Sequence, residues 1–331
     1  MAGSTGSNNG DVSGNHGDRD VWLIKLNASG TVQWKRTLGG TGADIANSVI
    51  QTLDGGYAVA GETRSNNGNV SVNHGSRDVW IVKLSAAGLI QWEKTYGGTG
   101  GDRANSIIQT SDGGYAVAGY TYSNDGDVSG NHGSYDMWIV KLDAAGDIQW
   151  QKALGGTGYD QANSIVQAAD SSYLIAGYTQ SADGDVSGNH GGQDMWVVKI
   201  SSAGSVQWQK ALGGTDGDAA YSIIKTTDGG YAVAGYTQSS DGDVSFNHGG
   251  QDMWVVKISS AGSIQWQKTL GGSNNEYANS ITILSDGGYA VAGYTRSGNG
   301  DIAGSLNGLE DFFISKMDAA GNVIRLYEDL P

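Results

Sequence analysis

Short apolar segments alternate with polar turns along this chain, and each segment has the length of a β-strand. In Asp194–Ile200 (Asp-Met-Trp-Val-Val-Lys-Ile) and Tyr231–Thr237 (Tyr-Ala-Val-Ala-Gly-Tyr-Thr), apolar side chains occupy neighbouring positions, so both faces of each strand carry them. Segments 162–167 and 205–210 are also of strand length, and in most copies an Asp-Gly-Gly-Tyr turn follows the first of these two types. No segment has the period, length or caps of a helix. The pattern therefore predicts an all-β chain with four short strands per unit.

The unit repeats every 58 residues. All histidines of the chain keep this spacing, and its tryptophans form two series that keep it too. The histidines are His16, His74, His132, His190 and His248, and the tryptophans are Trp22, Trp80, Trp138, Trp196, Trp254 and Trp34, Trp92, Trp150, Trp208, Trp266. Such self-similarity indicates one array. We expect a single domain over 1–331, with repeats at 1–40 (partial), 41–98, 99–156, 157–214, 215–272 and 273–331.

Four strands in series are typical of a β-propeller blade. One such sheet cannot cover both of its apolar faces, so we expect neighbouring blades to bury the tryptophans between them. The third- and fourth-strand motifs occur six times and the first- and second-strand motifs five times, and residues 2–7 match residues 60–65. This count predicts six blade positions, five full blades and a partial N-terminal one that starts within a second strand; a five-bladed ring is the alternative. The unpaired edge of the partial blade is expected to favour self-association.

Composition and charge narrow the function classes. The chain of 331 residues has 19 Lys and Arg against 34 Asp and Glu, a net charge of −15, and no cysteine. Binding to nucleic-acid phosphates requires a basic surface, which a chain this acidic lacks. We therefore expect no nucleic-acid partner. The lack of cysteine excludes disulfide scaffolds, thiol nucleophiles and thiolate metal sites. The longest apolar runs, about five residues, are too short for membrane insertion, and no leader opens the sequence.

The order of the motifs resembles the kelch-type propeller repeat, although the second strand ends in Ala118-Gly119 where kelch units usually have Gly-Gly. More closely, Asp-Gly-Gly-Tyr-x-x-Ala-Gly-x-Thr (112–121) with Gly-Asp-Val-Ser-Gly-Asn-His-Gly (126–133) is similar to tandem repeats of bacterial and archaeal surface or secreted proteins. The resemblance covers essentially the whole chain. It implies a propeller in a secreted or cell-surface setting, and it implies little about activity.

The long loops between second and third strands space oxygen-bearing side chains two residues apart. Asp-x-Asp-x-Ser-x-Asn is the ligand rhythm of a calcium loop. The candidate calcium ligands are Asp125, Asp127, Asn131, Asp183, Asp185, Asn189, Asp241, Asp243 and Asn247. Because the closing Glu of an EF-hand is absent, the alternative is that these side chains cap turns without metal. No cofactor is required in either case, and calcium is the candidate ion.

Two more titratable sets recur along the array. Each histidine precedes a third-strand aspartate by four residues, and we expect it to order the loop by bonding to aspartates such as Asp136 and Asp194. The second set follows a Gly-Gly pair by four residues and contains Asp44, Asp102, Asp160, Asp218 and Glu276. Crowded like charges are costly, so we expect these carboxylates to accept bonds from backbone amides, with a ring around an axial channel as the alternative. With kelch-like topology both loop sets share one rim.

The copies differ from one another at few positions. Such variation on a constant scaffold is more typical of ligand recognition than of enzymatic catalysis. The candidate ligand-binding residues are Tyr135, Gln193 and Gln251, which directly precede a third-strand aspartate, and Phe246, which replaces Gly or Val. Catalysis needs unlike groups in one pocket, whereas a repeat supplies the same group several times. We predict a non-catalytic module that binds glycans or surface proteins. A structural spacer or self-assembling surface subunit is the alternative, and a hydrolase or lyase is the third hypothesis.

Overall fold

Twenty-three β-strands make up the computed structural model, which describes residues 1–301 and 309–327. Within those residues no helix forms, and so no helix that could cross a membrane. The described strands form six antiparallel sheets, one with three strands and five with four, each ordered as in the sequence. The chain divides into two compact units, Met1–Gly155 and Gly156–Pro331, and each contains three of these sheets.

Unit 1 contains sheets 1, 2 and 3. Sheet 1 consists of β1 (Ala2–Thr5), β2 (Asp20–Leu26) and β3 (Val32–Leu38). Sheet 2 consists of β4 (Asp44–Gln51), β5 (Tyr57–Thr63), β6 (Asp78–Leu84) and β7 (Ile90–Tyr96). Sheet 3 consists of β8 (Asp102–Gln109), β9 (Tyr115–Thr121), β10 (Asp136–Leu142) and β11 (Ile148–Leu154). The strands of each sheet are joined as a meander, because each strand pairs with the next one along the chain.

Unit 2 contains sheets 4, 5 and 6, built in the same order. Sheet 4 consists of β12 (Asp160–Gln167), β13 (Tyr173–Thr179), β14 (Asp194–Ile200) and β15 (Val206–Leu212). Sheet 5 consists of β16 (Asp218–Lys225), β17 (Tyr231–Thr237), β18 (Asp252–Ile258) and β19 (Ile264–Leu270). Sheet 6 consists of β20 (Glu276–Ile283), β21 (Tyr289–Thr295), β22 (Asp311–Met317) and β23 (Val323–Tyr327).

The first hairpin of each four-stranded sheet contains a β-bulge opposite a glycine. In sheet 5 the pairing register of β16 with β17 shifts between Ala220 and Ser222, and Gly235 pairs with Ala220. A Cβ atom on Gly235 would overlap the carbonyl oxygen of Ala219. The bulge therefore admits only glycine at this position, which accounts for the glycine that ends the Tyr-Ala-Val-Ala-Gly motif.

Neighbouring sheets within a unit bury each other's apolar faces. Met195 and Val197 on one face of β14 belong to the same core as Trp254 and Val256 on the facing side of β18, and all four are fully buried. The tryptophans of the third strands in the complete sheets are at most 2% exposed: Trp80, Trp138, Trp196 and Trp254. The prediction of a core between sheets is confirmed for these tryptophans, whereas fourth-strand tryptophans such as Trp208 and Trp266 are only partly buried against that core.

In sheets 2 to 5, a buried lysine ties the third strand to the first turn of the sheet. In sheet 5, Lys257 Nζ lies 2.8 Å from Asp228 Oδ2 and 2.6 Å from Gln265 Oε1, and the lysine side chain is only 4% exposed. The equivalent pairs are Lys83 with Asp54, Lys141 with Asp112 and Lys199 with Asp170. Hydrogen bonds from Lys257 and Thr226 lower the pKa of Asp228 to about 2. The Asp228 carboxylate therefore stays ionised at neutral pH, and its contact with Lys257 fixes the hairpin to the sheet.

The sheet count confirms the all-β class and the six blade positions within the described residues, and not the five-bladed alternative. β1 pairs with β2 as β5 pairs with β6, since Thr5 faces Asp20 and Thr63 faces Asp78. The prediction that the chain starts within a second strand is thereby confirmed. The single domain over 1–331 and the repeat boundaries stay predictions.

Candidate functional site

The long loop between second and third strands meets the loop that leads into the first strand of the same sheet. In sheet 3, the backbone N–H of Thr99 donates to Asp125 Oδ1 at 2.8 Å, and the Thr99 hydroxyl donates to Asp125 Oδ2 at 2.8 Å. The same pairs in unit 2 are Thr157 with Asp183 and Thr215 with Asp241. The prediction that the two loop sets share a rim is confirmed.

The other candidate calcium ligands also bond to the backbone. Asp127 Oδ2 accepts from the N–H of Gly97 at 3.2 Å, and Asn131 Oδ1 accepts from the N–H of Gly133 at 3.0 Å. Their counterparts Asp243, Asn189 and Asn247 accept from Gly213, Gly191 and Gly249. Asp185 lies exposed in its loop. Over residues 1–301 and 309–327, no group of three or more His, Asp or Glu side chains is placed to hold a metal ion. Calcium binding by these nine residues stays a prediction.

Each histidine contacts the aspartate four residues after it. His132 Nδ1 lies 2.7 Å from Asp136 Oδ2, and the His132 backbone N–H donates to the same oxygen at 3.0 Å. In the other copies the ring-to-carboxylate distance is 2.5–2.7 Å. The aspartates are fully buried while the rings stay partly exposed, so the contact anchors the end of the long loop to the third strand. The predicted contact between each histidine and its third-strand aspartate is confirmed.

The carboxylates that follow Gly-Gly are buried at the start of the first strand. Asp102 Oδ2 accepts from the N–H of Gly98 at 2.9 Å and from the hydroxyl of Ser123 at 2.8 Å, and Asp102 Oδ1 accepts from the hydroxyl of Thr121. The bond from the second glycine recurs at Asp44, Asp160, Asp218 and Glu276. The prediction that backbone amides hold this set is confirmed.

Burial raises the pKa of three of the aspartates that begin third strands. Desolvation raises the pKa of Asp78 at the start of β6, and the charge of Asp102 at the start of β8 raises it further, while the bonds from His74 oppose the shift. Desolvation also raises the pKa of Asp194 and Asp252 in unit 2. These aspartates are positioning groups because their bonds are all made inside the protein.

In unit 1, positions at which the copies differ form an aromatic cluster. The ring of Tyr135 lies 4.8 Å from that of Tyr120 and 5.0 Å from that of Tyr122. An Arg77 Nη atom donates to the Tyr120 hydroxyl at 2.7 Å, and the guanidinium lies 5.5 Å from the centre of the Tyr120 ring. Tyr122 is 44% exposed, so the cluster faces solvent.

Charged side chains border this cluster. Glu62 Oε2 lies 3.2 Å from Arg77 Nη1 and 3.7 Å from Arg103 Nε, and an Arg103 Nη atom donates to Asn47 Oδ1 at 3.0 Å. Two arginines and one glutamate give a local charge of 2 − 1 = +1, whereas the whole chain carries −15. We call this set the aromatic–arginine surface; it contains Glu62, Arg77, Arg103, Tyr120, Tyr122 and Tyr135.

Unit 2 also has a tyrosine cluster, in which Tyr236 and Tyr294 are the counterparts of Tyr120 and Tyr277 is the counterpart of Arg103. The rings of Tyr277 and Tyr294 stack at 4.8 Å, and Tyr236 lies 5.1 Å from Tyr277. Burial and the neighbouring tyrosine hydroxyl raise the pKa of Tyr236 to about 12, so it is a neutral phenol at physiological pH. Arg296 nearby forms an ion pair with Glu310.

The four predicted ligand-binding residues take different positions. Tyr135 lies in the aromatic–arginine surface of unit 1. Gln193 donates to the hydroxyl of Tyr236 at 3.2 Å in unit 2. Gln251 bonds through its backbone to its neighbouring loop, and Phe246 is 57% exposed with its ring 4.6 Å from that of His248. No single cluster gathers them, and their role in binding stays a prediction.

Sequence reasoning selected Tyr135 but not the residues around it. Glu62 and Tyr120 occupy the same repeat position in successive copies, and Arg64 and Tyr122 share another. These differences between copies were a signal in the sequence. The proximity of these residues could not be predicted from the sequence, because Arg77 directly precedes β6 of sheet 2 whereas Tyr120 lies in β9 of sheet 3.

A second feature of unit 2 is a polar cavity between sheets 4 and 5. Its volume is about 520 Å³, and His190, Lys210 and Asp243 are among the residues that line it. His190 Nδ1 lies 2.7 Å from Asp194 Oδ2, so this loop-anchoring contact belongs to a residue that lines the cavity.

No family model matches the sequence. A curated relative is the regulatory protein FlaEY of Caulobacter vibrioides, which is 27% identical over 194 residues. The match covers 54% of this chain and 20% of FlaEY, so the chain spans about a fifth of the length of that relative.

Solved structures are similar to this chain over nearly its whole length. A Bacteroides caccae protein of unknown function has a TM-score of 0.50 at 13% identity, covering 99% of this chain and 93% of that chain. Sqt1 of Chaetomium thermophilum has a TM-score of 0.50 at 14% identity, covering 99% of this chain and 67% of that chain. Matches at such identity show the fold alone, a β-propeller.

Proposed function

We propose that this chain is a non-catalytic recognition module of kelch-like repeats that binds acidic glycans through the aromatic–arginine surface. The observation that supports the proposal is a contact between variable positions: Tyr122 and Tyr135 differ from their counterparts in the other copies, and their rings contact each other and the ring of Tyr120. A constant scaffold with a local, solvent-facing variation suits selection for a ligand. A secreted or cell-surface setting, which the resemblance of the repeats implies, fits a glycan ligand.

The aromatic rings provide the apolar part of the binding energy. Tyrosine offers a rigid face for the C–H groups of a sugar ring and a hydroxyl for its polar edge. The contact of Arg77 with the ring and hydroxyl of Tyr120 holds both side chains in place. Side chains that are already ordered lose less conformational entropy when a ligand binds.

The arginines select the charge of the ligand. Five of the seven arginines of the chain belong to unit 1: Arg19, Arg36, Arg64, Arg77 and Arg103. Arg103 shares the single carboxylate of Glu62 with Arg77, so the surface keeps one positive charge in excess. A guanidinium matches the planar geometry of a carboxylate, and the sugar that fits it is a uronic acid.

Repetition supports a non-catalytic role. The His–Asp pairs have the same geometry in all five copies that carry a histidine, and each bonds its own loop to its own strand. Catalytic groups are unlike one another and converge in one pocket. We therefore infer that these pairs position loops rather than transfer protons to a substrate.

The proposal is tested by calorimetric titration with galacturonate oligosaccharides and, as the uncharged match, galactose oligosaccharides. Removal of a stacking ring in Tyr122→Ala or Tyr135→Ala is expected to weaken galacturonate binding by about tenfold. Arg103→Met is expected to reduce the preference for the acidic sugar. Leu53→Ala is the control, because Leu53 is 85% exposed in a turn of sheet 2 and outside the surface.

Equal affinity for the charged and uncharged oligosaccharides would overturn the acidic class. Galacturonate binding that survives both tyrosine substitutions unchanged would overturn the site. A surface protein or another repeat-bearing chain is a second candidate partner.

A further inference from the structure

Between sheets 2 and 3, the fourth strand of one sheet contacts the turn that precedes the fourth strand of the next. The hydroxyl of Tyr96 donates to the carbonyl oxygen of Gly146 at 2.6 Å, and the tyrosine is only 4% exposed. Lys94 Nζ, from the same strand, lies 2.5 Å from Asp147 Oδ1. A phenol and an ion pair therefore fill this position in unit 1.

The backbone at the equivalent position between sheets 4 and 5 has the same arrangement. A Cβ atom on Gly262 would lie 3.0 Å from the ring of Trp208, and one on Gly146 would lie 3.1 Å from the ring of Trp92. In both places the turn rests on the fourth-strand tryptophan of the preceding sheet. Differences between the two positions therefore come from their side chains.

Two differences between the copies remove the groups that fill the position in unit 1. Leu212 stands where unit 1 has Tyr96, and Ser263 stands where it has Asp147. A leucine has no hydroxyl to donate to the turn, and a serine has no charge to pair with the lysine. The lysine itself is kept as Lys210, and its ammonium group forms no ion pair or hydrogen bond within the part of the chain that the structure describes.

The polar cavity of unit 2 lies at this position. It has a volume of about 520 Å³, and Lys210, Leu212, Gly262, Ser263 and Ile264 are among the residues that line it. Cavities of a few hundred Å³ are typical of small-molecule sites. The cavity thus combines an unpaired ammonium group, an apolar wall and the glycine whose counterpart accepts the tyrosine hydroxyl in unit 1.

The charges of the lining limit the charge of a ligand. Asp243 lines the cavity too, and its Oδ2 atom accepts from the backbone N–H of Gly213 at 3.3 Å. A ligand with one carboxylate can pair with Lys210. A second carboxylate would add to the charge of Asp243, and the lining residues that the structure describes include no further lysine or arginine to balance it.

We propose that the cavity between sheets 4 and 5 binds a small aromatic acid that carries one hydroxyl group and one carboxylate. The ring of the ligand packs against Leu212 and Ile264, its hydroxyl donates to the carbonyl oxygen of Gly262, and its carboxylate pairs with Lys210. The ligand then supplies the phenol and the acid that the chain itself provides between sheets 2 and 3. Apolar contact gives most of the affinity, and the two polar groups fix the orientation.

An introduced thiol tests the proposal at this cavity alone. A site-specific signal is needed because the lysine and the leucine recur at the same positions of β11 and β19. The chain has no cysteine, so Ser263→Cys in the full chain places one thiol in the lining. We expect para-hydroxyphenylacetate to slow the reaction of this thiol with N-ethylmaleimide, saturably and half-maximally at about 1 mM. Thr227→Cys, at an exposed turn of sheet 5, is the control, and its reaction rate should not change.

Matched ligands and a lysine variant test the charge. Because Lys210 is exposed, the uncharged para-hydroxyphenylacetamide should bind only about fivefold more weakly than the acid. Lys210→Met, added to Ser263→Cys, should weaken the acid and remove this difference, as a double-mutant cycle requires. Lys94→Met is the control, because this lysine is paired with Asp147 in unit 1, and it should leave the difference unchanged.

Filling the cavity tests the place of the aromatic ring. Leu212→Tyr, added to Ser263→Cys, introduces the side chain that sheet 2 has at this position, and it should abolish the slowing by the ligand. Its melting temperature should stay close to that of the parent, because the same backbone accommodates Tyr96 in unit 1. Phenylacetate, which lacks the hydroxyl, should bind the parent about fivefold more weakly than para-hydroxyphenylacetate.

Three results would overturn the proposal. One is a thiol at position 263 whose reaction is not slowed saturably, or is slowed no more than that of Thr227→Cys. Another is a difference between acid and amide that persists in Lys210→Met. The third is slowing that persists in a folded Leu212→Tyr protein, and the lysine test still decides if that variant does not fold. None of these results affects the glycan proposal, because no residue of the aromatic–arginine surface lines the cavity.

Discussion

Asp194 and Asp228 are aspartates of the same unit with opposite pKa shifts. Burial raises the pKa of Asp194, although bonds from His190 oppose the shift. Asp228 is half-exposed, and bonds from Lys257 and Thr226 lower its pKa to about 2. A raised pKa contributes stability below the unfolded value, and this contribution is lost as pH rises through the folded pKa. A lowered pKa contributes stability above the unfolded value, and this is lost as pH falls towards about 2.

The raised pKa of Asp194 predicts a pH dependence of thermal stability that the substitution Asp194→Asn should remove. Because protonation relieves the cost of the buried charge, the wild-type chain should gain melting temperature relative to Asp194→Asn as pH is lowered from about 7 to about 4. Thermal unfolding of both proteins across this range measures the difference. Leu53→Ala, at an exposed turn position without a titratable side chain, is the control and should show a constant difference from wild type. A constant difference for Asp194→Asn as well would contradict the assigned shift.

At the scale of the strand and hairpin, the sequence predicted which segments pair but not how closely they approach. Strand length, apolar faces on both sides and Asp-Gly-Gly turns were enough to place four strands per unit. The bulge opposite Gly235 was not predictable, because its cause is the carbonyl oxygen of Ala219 on the adjacent strand. The Lys–Asp pair was missed for the same reason, since Lys257 and Asp228 are 29 residues apart and meet only when the sheet forms.

Two glycines of sheet 5 should respond differently to the same substitution. Gly235→Ala places a methyl group against the backbone of β16. The resulting overpacking should lower the free energy of unfolding by about 3 kcal/mol. Gly229 lies in the first turn with φ +81° and open space around it, so Gly229→Ala should cost only about 1 kcal/mol, for the backbone conformation alone. Urea unfolding of the two variants measures the costs. Equal losses of stability would show that the bulge relaxes around the new methyl group.

At the scale of the whole molecule, repetition made the fold predictable and variation made the site hard to predict. The same motifs at 58-residue spacing specify the same sheet each time, and each sheet needs a neighbour to cover its tryptophans, so the blade count followed from counting motifs. The aromatic–arginine surface depends on single residues that break the repeat. Arg77 and Tyr120 are 43 residues apart and belong to different sheets, so only the packing of those sheets shows that they interact.

The effect of calcium on thermal stability tests whether the long loops of both units bind this ion. The first aspartate of each ladder, such as Asp125 or Asp241, already accepts two bonds from a threonine of the facing loop, so its oxygens are engaged before any ion arrives. An ion would have to break those bonds and collect further ligands, which lowers its affinity. We therefore expect calcium at about 2 mM to change the melting temperature by less than about 2 °C, since weak binding stabilises only slightly. Differential scanning fluorimetry with calcium, magnesium and chelator measures the shift. A large rise that is specific to calcium and reversed by chelator would instead establish the Asp-x-Asp-x-Ser-x-Asn ladders as calcium loops.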